Sequence, residues 1–598
     1  MDRKKFCNEI TELIEKKGSK IVFFTGAGIS YNPPSSLPLA NEVKLELIRT
    51  TCENFSLEDF YNQYLKQIKE NLKNILMESI FEIIEIRSQV DAIKMIEEIF
   101  GAGKPNCNHK FLARLLSEGK CCYIITTNFD ILIEKALKVE QHPKIIHLHG
   151  SISDPDSIRV LLHQIGWGLP EEIQERLKEV LKNKVVIFVG WSGNDFDIIP
   201  ILSSSEMEKI YWIYHDESSD RVICYNDDEI KSSSSPIDSL IKQFEGIKYI
   251  GSTDVVIREI WQRLWKDSPE YPKKTRSEDW KKSIKKYLKQ LEKWDRALIF
   301  LEVLERIDRD KKLPLKLIDS LEKVNPKGQI LYELSCKKSV CYRIISEYNK
   351  AIEGAEQVLK TFTLREGEDL SWFVELKNDI ASAYNDWGKF LREKGNYEEA
   401  IEKHIKAIEI FKENIEKLSK ELDDTKNRSK EILILLDKAQ VHTNLGSAYF
   451  DLYKTMSRIK NKEKFFLKEI FNKEKIIKKE IEKNYQKAIE IREKLQNELK
   501  ELRKLRYYNN IKLGDLYNNL ANTYSFIAEK YNAKCLEIKR KCGDVRGMKR
   551  LLDDIKKYYN EYKDLKDVHE ILEQSFIEEP ISSTHLLYYR IKLLKDLK

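Results

Sequence analysis

The sequence predicts two architectures in one chain: an α/β domain with a parallel sheet, followed by an all-α region of helical repeats. Before about residue 270, short β-branched and aromatic runs alternate with helical patterns, and after it the helical pattern is almost continuous. With 598 residues the chain is long enough for about three or four structural units. Glycine (22) and proline (14) are scarce, which favours helices over a turn-rich all-β fold.

Composition excludes several classes of protein. The net charge of +6 is too small to indicate a nucleic-acid-binding surface. No apolar run reaches about 18 residues, so no membrane span is expected, and the amphipathic start does not resemble a signal peptide. The ten cysteines include no CxxC pair, which argues against a disulfide scaffold or a zinc ribbon. We therefore expect a cytoplasmic protein.

Seven segments of the first part are predicted strands, and most stretches between them are long enough for crossover helices. Continuous apolar runs such as 185–189 are typical of strands buried on both faces of a parallel sheet. The alternation predicts a doubly wound, Rossmann-like α/β fold. The predicted strands are residues 20–25, 121–126, 144–148, 185–189, 210–214, 221–224 and 247–250.

The segment 266–274 carries two prolines and a run of charges, so we predict the linker there. The expected domains are residues 1–268 and residues 275–598. Within the second, residues 381–414 have the small and aromatic positions of a tetratricopeptide unit, with a turn at Gly395. Further partial copies are predicted at 294–297, at 444–449 with 485–491, and at 517–524. Stacked repeats form a solenoid, and such a surface usually binds a protein partner.

Four polar or glycine-rich motifs lie at the carboxyl ends of predicted strands. The first is Gly26-Ala27-Gly28-Ile29-Ser30, in which glycines would let a phosphate approach the backbone and a following helix would offer free N–H groups. A tight turn is the alternative, because the third glycine of the GxGxxG dinucleotide fingerprint is missing.

The other three motifs each have a structural alternative as well. Thr127, Asn128 and Asp130 could cap a helix that starts near residue 131. His147 and His149 share one face of a strand, and Gly150 would leave space for a ligand beside His149. A structural histidine is the alternative, and no third residue completes a metal-ligand spacing.

The fourth motif contains Gly190, Ser192 and Asp195, and its carboxylates could be a helix N-cap. All four motifs share a position after a strand. In a doubly wound fold the carboxyl ends of parallel strands meet at one edge, where ligands bind. We therefore expect the four motifs to form one site.

Together these motifs resemble the sirtuin family over about residues 15–265. Residues 26–30 are similar to its GAGxS loop, residues 127–130 to its asparagine-any-aspartate motif, and His149-Gly150 to its catalytic histidine-glycine pair. Gly190-Trp191-Ser192 is similar to its late glycine-serine motif, and residues 105–113 look like the helix before the second motif.

The chain also departs from sirtuin deacylases. It has no cysteine between Cys122 and Cys224, so the zinc module is absent and no zinc is expected. Residues 33–41 replace the arginine-containing segment that follows the glycine loop in deacylases. In these respects the chain resembles the zinc-less sirtuin-like domains of prokaryotic antiphage defence proteins. In those proteins the domain hydrolyses NAD+ and an attached C-terminal region senses infection.

The resemblance implies an NAD+ hydrolase with NAD+ as substrate, no bound metal, a protein trigger that acts through the helical repeats, and a homo-oligomeric assembly. It implies Asn128 and His149 as catalytic residues, the latter as a base toward water or a ribose hydroxyl. The implied NAD-binding residues are Gly26, Ala27, Gly28, Ser30, Thr127, Asp130, Gly190, Ser192 and Asp195. The alternatives are a protein deacylase or ADP-ribosyltransferase, and a non-enzymatic adaptor that senses NAD or ADP-ribose.

Overall fold

The computed structural model of the chain describes residues 2–498 with short gaps. The gaps are residues 54–56, 89, 140–141, 167, 234, 270–274, 362–369, 427 and 461–466. The described residues divide into two compact units, one ending at Phe300 and the other beginning at Leu301. None of the helices in these ranges combines the length and the apolar character that crossing a membrane requires.

One sheet forms the centre of the first unit. Its strands are β1 (Ile21–Thr25), β2 (Tyr123–Thr126), β3 (Ile145–His147), β4 (Val185–Val189), β5 (Lys209–His215), β6 (Arg221–Cys224) and β7 (Ile247–Gly251). Their order is β3-β2-β1-β4-β5-β7-β6, and all neighbours are parallel except the antiparallel pair β6 and β7. The Rossmann-like prediction is confirmed, and each predicted strand is present with bounds shifted by at most two residues.

The helices of the first unit connect these strands. They are α1 (Arg3–Lys17), α2 (Ala40–Cys52), α3 (Glu58–Leu72), α4 (Met77–Ser88), α5 (Ala92–Gly101), α6 (Cys107–Ser117), α7 (Leu132–Leu137), α8 (Leu162–Gly166), α9 (Glu171–Leu181), α10 (Ile199–Ser203), α11 (Asp228–Ser232), α12 (Pro236–Gln243), α13 (Thr253–Trp265) and α14 (Trp280–Leu288). Helix α15 (Lys293–Ile307) spans the division between the units. Side chains at several helix starts stabilise them, as when Asp2 accepts a hydrogen bond from the backbone of Lys5.

Apolar side chains on both faces of the sheet pack against helices. One face is covered by α1, α6 and α13, and the other by α9, α10 and α12. The two central strands, β1 and β4, are buried along their whole length. Each fully buried Phe, Leu or Ile side chain contributes about 1.5–3 kcal/mol. Continuous apolar runs fold as central strands because only there are both of their faces covered.

The chain changes direction across the sheet between β1 and β4. From β1 it builds β2 and β3 on one side, then returns to place β4 on the other side. Thr25 and Val189 are register partners, so β1 and β4 end at the same level. A parallel sheet opens a crevice at such a switch point, beyond the carboxyl ends of the strands. Two of the four motifs, those after β1 and β4, follow directly from these strands.

Four helices, α2 to α5, lie between β1 and α6 in the chain, and α14 packs against two of them, α2 and α5. Arg276, just before α14, is bonded to the loop that follows the glycine motif, since its guanidinium contacts Glu42 at 2.6 and 2.7 Å and the carbonyl of Leu37 at 2.9 Å. The first compact unit therefore continues past residue 275. The division into residues 1–268 and 275–598 stays a prediction.

The second unit is helical throughout its described residues, as predicted. After α15 come α16 (Lys312–Glu322), α17 (Gln329–Ile344), α18 (Tyr348–Thr361), α19 (Leu370–Glu393), α20 (Tyr397–Asp424), α21 (Arg428–Lys460) and α22 (Leu467–Glu498). From α17 onward, each helix packs against the next one in the chain. The unit is therefore an array of consecutive helices with local contacts.

The predicted repeat 381–414 falls on a helical hairpin. Its turn is at Gly395, which has a φ of +83°, and Ala400 and Ala407 are fully buried. The predicted segments 444–449 and 485–491 lie on two neighbouring helices, α21 and α22. The helices are in close contact there, since a Cβ added to Gly446 would lie 2.8 Å from the Tyr485 ring.

The assignment to tetratricopeptide repeats stays a prediction. Helix α21 has 33 residues, about the length of a whole tetratricopeptide unit. Of the other partial copies, 294–297 lies in α15, and 517–524 lies outside the described residues.

Candidate functional site

The glycine motif after β1 forms a short 3₁₀ turn. The turn spans Ala27–Ser30 and is followed by a loop, and helix α2 begins only at Ala40. The expectation that this motif leads into a helix N-terminus is therefore wrong, and no helix dipole is added there. The reason lies in residues 31–39, whose three prolines and lack of helical periodicity prevent a helix from forming before α2.

The two glycines of this motif are required by a close backbone approach. A Cβ on Gly26 would lie 2.8 Å from the Cα of Trp191, and one on Gly28 would lie 2.9 Å from the Cα of Gly190. The backbone N–H of Gly28 donates to the carbonyl of Gly190 at 2.9 Å. Gly190 itself has a φ of +65°, which glycine adopts without strain. The loops after β1 and β4 are thus packed backbone to backbone.

A buried polar cluster joins the first motif to the second. The hydroxyl of Ser30 donates to Asp130 Oδ2 at 2.8 Å, and Asn128 Nδ2 lies 3.1 Å from both Ser30 Oγ and Asp130 Oδ2. Asp130 Oδ1 also accepts from the backbone of Leu132 at the start of α7. Asp130 therefore has two roles, because it belongs to the cluster and also bonds the backbone at the start of α7. The amide of Asn128 points into the cluster.

His149 is paired with a carboxylate from the fourth motif. Its Nε2 lies 3.1 Å from Asp197 Oδ2, and both side chains are almost fully buried. Gly150 does not leave space for a ligand as expected, because a Cβ there would lie 2.2 Å from the carbonyl oxygen of Ser157. Its positive φ of +82° serves the fold of the chain's own loop.

His147 has a structural role, the alternative raised by its position in the strand. Its Nδ1 lies 2.9 Å from the carbonyl oxygen of Asn128 and its Nε2 lies 2.8 Å from Glu134 Oε1. Burial tends to lower the pKa of His147, but hydrogen bonding and attraction to Glu134 outweigh it and raise the pKa. Because both ring nitrogens are hydrogen-bonded, the ring holds the backbone of Asn128 in position. Across the described residues, no group of three His, Cys, Asp or Glu side chains is arranged to hold a metal ion.

The four motifs form a closed circuit of contacts. The first touches the second through Ser30 and Asn128, and it touches the fourth through Gly28 and Gly190. The third touches the second through His147, and it touches the fourth through His149 and Asp197. The expectation that the motifs come together at one edge of the sheet agrees with this arrangement.

A comparison with known protein families finds a match that covers part of this circuit. Residues 137–230 match the model of the SIR2-like domain. The match contains the third and fourth motifs, and the glycine loop and Asn128 precede it. A search of curated proteins finds no matching relative. The SIR2-like match supports a sirtuin-related function in NAD processing for the first unit.

Electrostatics in the SIR2-like segment centre on His149. Burial tends to lower the pKa of His149, but attraction to Asp197, its hydrogen bond, and the nearby Asp195 and Glu78 outweigh this and raise the pKa to about 9. Without a ligand, the imidazole is therefore protonated at neutral pH. The carboxyl groups around His149 stabilise the imidazolium, so the ring is not ready to act as a base in this state.

Two carboxyl groups near His149 have raised pKa values. Burial raises the pKa of Glu78, on α4, to about 7, and repulsion from Asp195 and Asp197 adds to the effect. Burial also raises the pKa of Asp195, whose Oδ2 accepts a hydrogen bond from the indole of Trp191. Groups with perturbed pKa values are concentrated at functional sites. The carboxyl groups of Asp195, Asp197 and Glu78 lie close enough to His149 to stabilise its cationic form.

Two buried oxygens in the circuit are unused as hydrogen-bond acceptors among the described residues. Asn128 Oδ1 and Asp197 Oδ1 have no hydrogen-bond partner among the described residues. A buried carbonyl or carboxylate oxygen without a partner is costly, about 1–3 kcal/mol. Hydroxyl groups of a ribose would satisfy both acceptors. The residues present therefore fit a nucleotide with free sugar hydroxyls.

The remaining predicted residues lie around the circuit. Ala27 is half-buried in the 3₁₀ turn, and Thr127 is half-buried with its backbone N–H donating to the carbonyl of Thr25. Ser192 is exposed. Asp195 does not cap α10 with its side chain, which instead bonds Trp191. These positions are compatible with the edge of a binding site, and their roles stay predictions.

Three residues of the site were missed by sequence reasoning. Asp197 stands in the fourth motif, two residues after the predicted Asp195, and only the course of the loop shows which carboxylate meets His149. Glu78 lies on a helix far from any motif. His109 lies in the segment 105–113, and its Nε2 is 3.0 Å from Ser30 Oγ. The similarity of this segment to a sirtuin helix was the sequence signal that could have identified it.

Proposed function

We propose that the first unit is an NAD+ glycohydrolase that converts NAD+ and water to nicotinamide and ADP-ribose. The observation that carries the proposal is the circuit in which Asn128 bonds Ser30 of the glycine motif and His149 pairs with Asp197 of the loop after β4. The SIR2-like match at 137–230 supports NAD as the ligand. The two enzymatic alternatives, a protein deacylase and an ADP-ribosyltransferase, keep the same bond cleavage and differ in what attacks the ribose, whereas the non-enzymatic adaptor would bind the nucleotide without cleaving it.

The charge distribution suits the departure of nicotinamide. When the C1′–N bond breaks, its electron pair stays on the nicotinamide nitrogen and positive charge develops on the ribose. The carboxyl groups of Asp197, Asp195 and Glu78 lie around His149 and favour positive charge there. Because they are fixed by the fold, they need little reorganisation as the charge develops.

His149 would complete the reaction by accepting a proton. In the free protein it is protonated, since its pKa is about 9. The nicotinamide ring of bound NAD+ is itself a cation, and a second positive charge nearby lowers the pKa of the imidazole. The neutral ring can then take a proton from the water whose oxygen bonds to C1′. Asn128 Oδ1, buried without a partner among the described residues, would accept from a ribose hydroxyl or that water.

The proposal is tested with the full chain, NAD+ and chromatographic identification of products. The assay is run with and without candidate protein triggers, and activated wild type should release nicotinamide and free ADP-ribose in equal amounts. His149→Ala and Asn128→Ala should lose this activity while still folding, which a cooperative thermal transition shows. His149→Ala should melt at a lower temperature, because Asp197 is left buried without its partner. His142→Ala is a matched control that should stay active, because its ring bonds only the backbone of Lys144 among the contacts described and lies outside the circuit.

Product identity separates the chemical alternatives. An acylated ADP-ribose formed from an acylated peptide would indicate a deacylase, and a modified protein would indicate a transferase. Full activity in both His149→Ala and Asn128→Ala would contradict the assigned roles. If neither the purified chain nor cells expressing it lose NAD+ under any condition tested, the hydrolase is ruled out.

The biological role we propose is antiphage defence in the cytoplasm. The resemblance to zinc-less defence proteins and the fusion to a helical array support it, because uncontrolled NAD+ loss would kill the host. The helical unit would receive a protein trigger, and homo-oligomerisation would accompany activation. Cells that carry the chain should keep their NAD+ until a triggering phage infects them and then lose it within one infection cycle. Unchanged NAD+ and plating across a diverse phage panel would contradict this role.

A further inference from the structure

His109 is a fully buried histidine next to the proposed site. It lies in the first turn of α6, and its side chain is 0% exposed. One ring nitrogen faces the start of its own helix, and the other faces Ser30 of the glycine motif. The mechanism above does not use this residue, so its position calls for a separate explanation.

The tautomer of His109 follows from its neighbours. Its Nδ1 lies 3.2 Å from the backbone nitrogen of Asn106, which can only donate, so Nδ1 must be the unprotonated acceptor. Ser35 Oγ lies 3.5 Å from the same nitrogen, but its proton is donated to the carbonyl of Lys104 at 2.8 Å. Burial lowers the pKa of His109 to about 3, so the ring is neutral at physiological pH. A neutral ring without a proton on Nδ1 carries it on Nε2.

The Nε2 proton then sets the direction of the Ser30 hydroxyl. Nε2–H donates to Ser30 Oγ at 3.0 Å, so the serine cannot direct its own proton toward His109. That proton goes to Asp130 Oδ2, 2.8 Å away. With the Asn128 amide as second donor at 3.1 Å, both lone pairs of Ser30 Oγ are used.

The same chain of donors fixes the amide of Asn128. Asp130 Oδ2 and Ser30 Oγ both act as acceptors toward it, so the amide must turn its NH2 group to them. A flipped amide would place its oxygen against two acceptors. The correct orientation leaves Asn128 Oδ1 as the buried oxygen without a partner among the described residues, and therefore the atom presented to a ligand.

We propose that His109 is a positioning residue that holds the Asn128 amide in its ligand-accepting orientation by donating from Nε2 to Ser30. Its kinetic consequence rests on the proposed NAD+ hydrolysis. His109 does not touch the substrate in this proposal. It acts through Ser30, Asp130 and Asn128, in that order.

Two variants separate the hydrogen bond from simple packing. His109→Leu keeps an apolar side chain of similar size and removes the donor to Ser30. His109→Gln retains an N–H donor near the position of Nε2. We expect His109→Leu to lower kcat by about 10- to 100-fold, the range typical when a residue that orients a direct contact is removed. His109→Gln should recover most of the rate, while a purely steric role predicts equal losses in both.

A double-mutant cycle supplies a readout that a merely structural role would not move. If His109 acts only through Asn128, then His109→Leu added to Asn128→Ala should cause no further loss of NAD+ affinity, a quantity that stays measurable when cleavage is lost. Losses that multiply would overturn the proposal. Melting temperatures of all variants, measured in parallel, show whether each one is folded, and His109→Gln remains informative if His109→Leu does not fold.

A spectroscopic test does not depend on activity. Nitrogen-15 NMR of the full chain labelled at histidine, with His109→Gln used to assign the signal, reports which ring nitrogen carries the proton. The expected result is a neutral ring protonated at Nε2 with a signal that does not change between pH 5 and pH 8. Protonation at Nδ1, or titration in that range, would overturn the inference even in an active enzyme. Conversely, the expected signal in a chain that does not cleave NAD+ would refute only the hydrolase.

Discussion

His149 and Asp197 meet across the sheet at 3.1 Å although β2 and β1 separate the strands that precede them. The loop after β3 must cross the carboxyl ends of two strands to reach the loop after β4. Both side chains are nearly excluded from solvent, so the pair is a buried ion pair when His149 is protonated. Breaking such a pair by removing one partner is costly, because the other charge remains buried.

The pH dependence of hydrolysis should report this pair. kcat/KM reflects the pKa values of the free enzyme, and that of His149 is raised to about 9. If the neutral imidazole is the base, kcat/KM should rise with pH up to about 9 and then level off. Asp197→Asn should move this rise to lower pH, because the main stabilising charge is gone. Initial rates between pH 6 and pH 10, corrected for spontaneous NAD+ decay, test it, and an unshifted rise in Asp197→Asn would contradict it.

Stability should depend on pH in the opposite sense. A raised pKa means that the folded state binds the His149 proton more tightly than the unfolded state does. This contribution is complete below the unfolded value of about 6.5, and it is lost as pH rises through about 9. The stability difference between wild type and Asp197→Asn should therefore be largest near pH 6 and shrink toward pH 9. Thermal unfolding at several pH values measures it, and a difference that grows with pH would be inconsistent.

Gly28→Ala should destabilise the junction between the first and fourth motifs. The added Cβ would lie 2.9 Å from the Cα and the carbonyl oxygen of Gly190, and neither backbone can move freely. We expect a loss of about 1–3 kcal/mol, as for other overpacked sites, together with loss of NAD+ cleavage. Gly354→Ala is the matched control, since that glycine lies in α18 with nothing within 4 Å. It should stabilise the protein by about 0.5–1 kcal/mol. Relative to wild type, the melting temperature should fall in Gly28→Ala and rise in Gly354→Ala.

Arg276→Ala should loosen the loop that follows Ser30. The guanidinium forms a bidentate ion pair with Glu42. It also donates to the carbonyls of Tyr31 and Leu37, and it lies 3.9 Å from the centroid of the Tyr31 ring. Hydrogen bonds of charged groups contribute about 1.5–3 kcal/mol each in favourable cases. Hydrogen exchange of residues 31–39 should accelerate, and nicotinamide release should fall.

Two further variants control for charge alone. Arg276→Lys should rescue little, because an ammonium lacks the planar fork that contacts Glu42 and both carbonyls. Arg221→Ala removes an exposed pair with Glu229 and should change stability by less than about 1 kcal/mol. Equal exchange in Arg276→Ala and wild type would show that this contact does not secure the loop.

Much of the fold could be predicted because its signals are local. The strands β1 and β4 are continuous apolar runs, and such runs are stable only where a sheet is covered on both faces. The position of Asn128, His149 and Gly190 at one edge of the sheet followed from topology alone, since each stands after a parallel strand. Nothing beyond strand order was needed for that prediction.

The rest depended on tertiary geometry. Glu78 lies on α4, which carries no motif and is brought near His149 only by packing. The choice between Asp195 and Asp197 depends on how one loop turns, and the indole of Trp191 binds the former. The glycine motif suggested a phosphate site, whereas its two glycines are needed by the neighbouring backbone at Gly190 and Trp191. Local sequence cannot distinguish these two demands on a glycine.

The contact of Arg276 with the loop beyond Ser30 bears on how the protein should be dissected. A fragment that ends at residue 268 would lack this side chain together with α14, which packs on α2 and α5. Such a truncated protein would expose apolar surface and leave the loop beyond Ser30 untethered. An inert fragment would therefore say nothing about the chemistry, and a cut placed after α14 is the shorter version worth purifying.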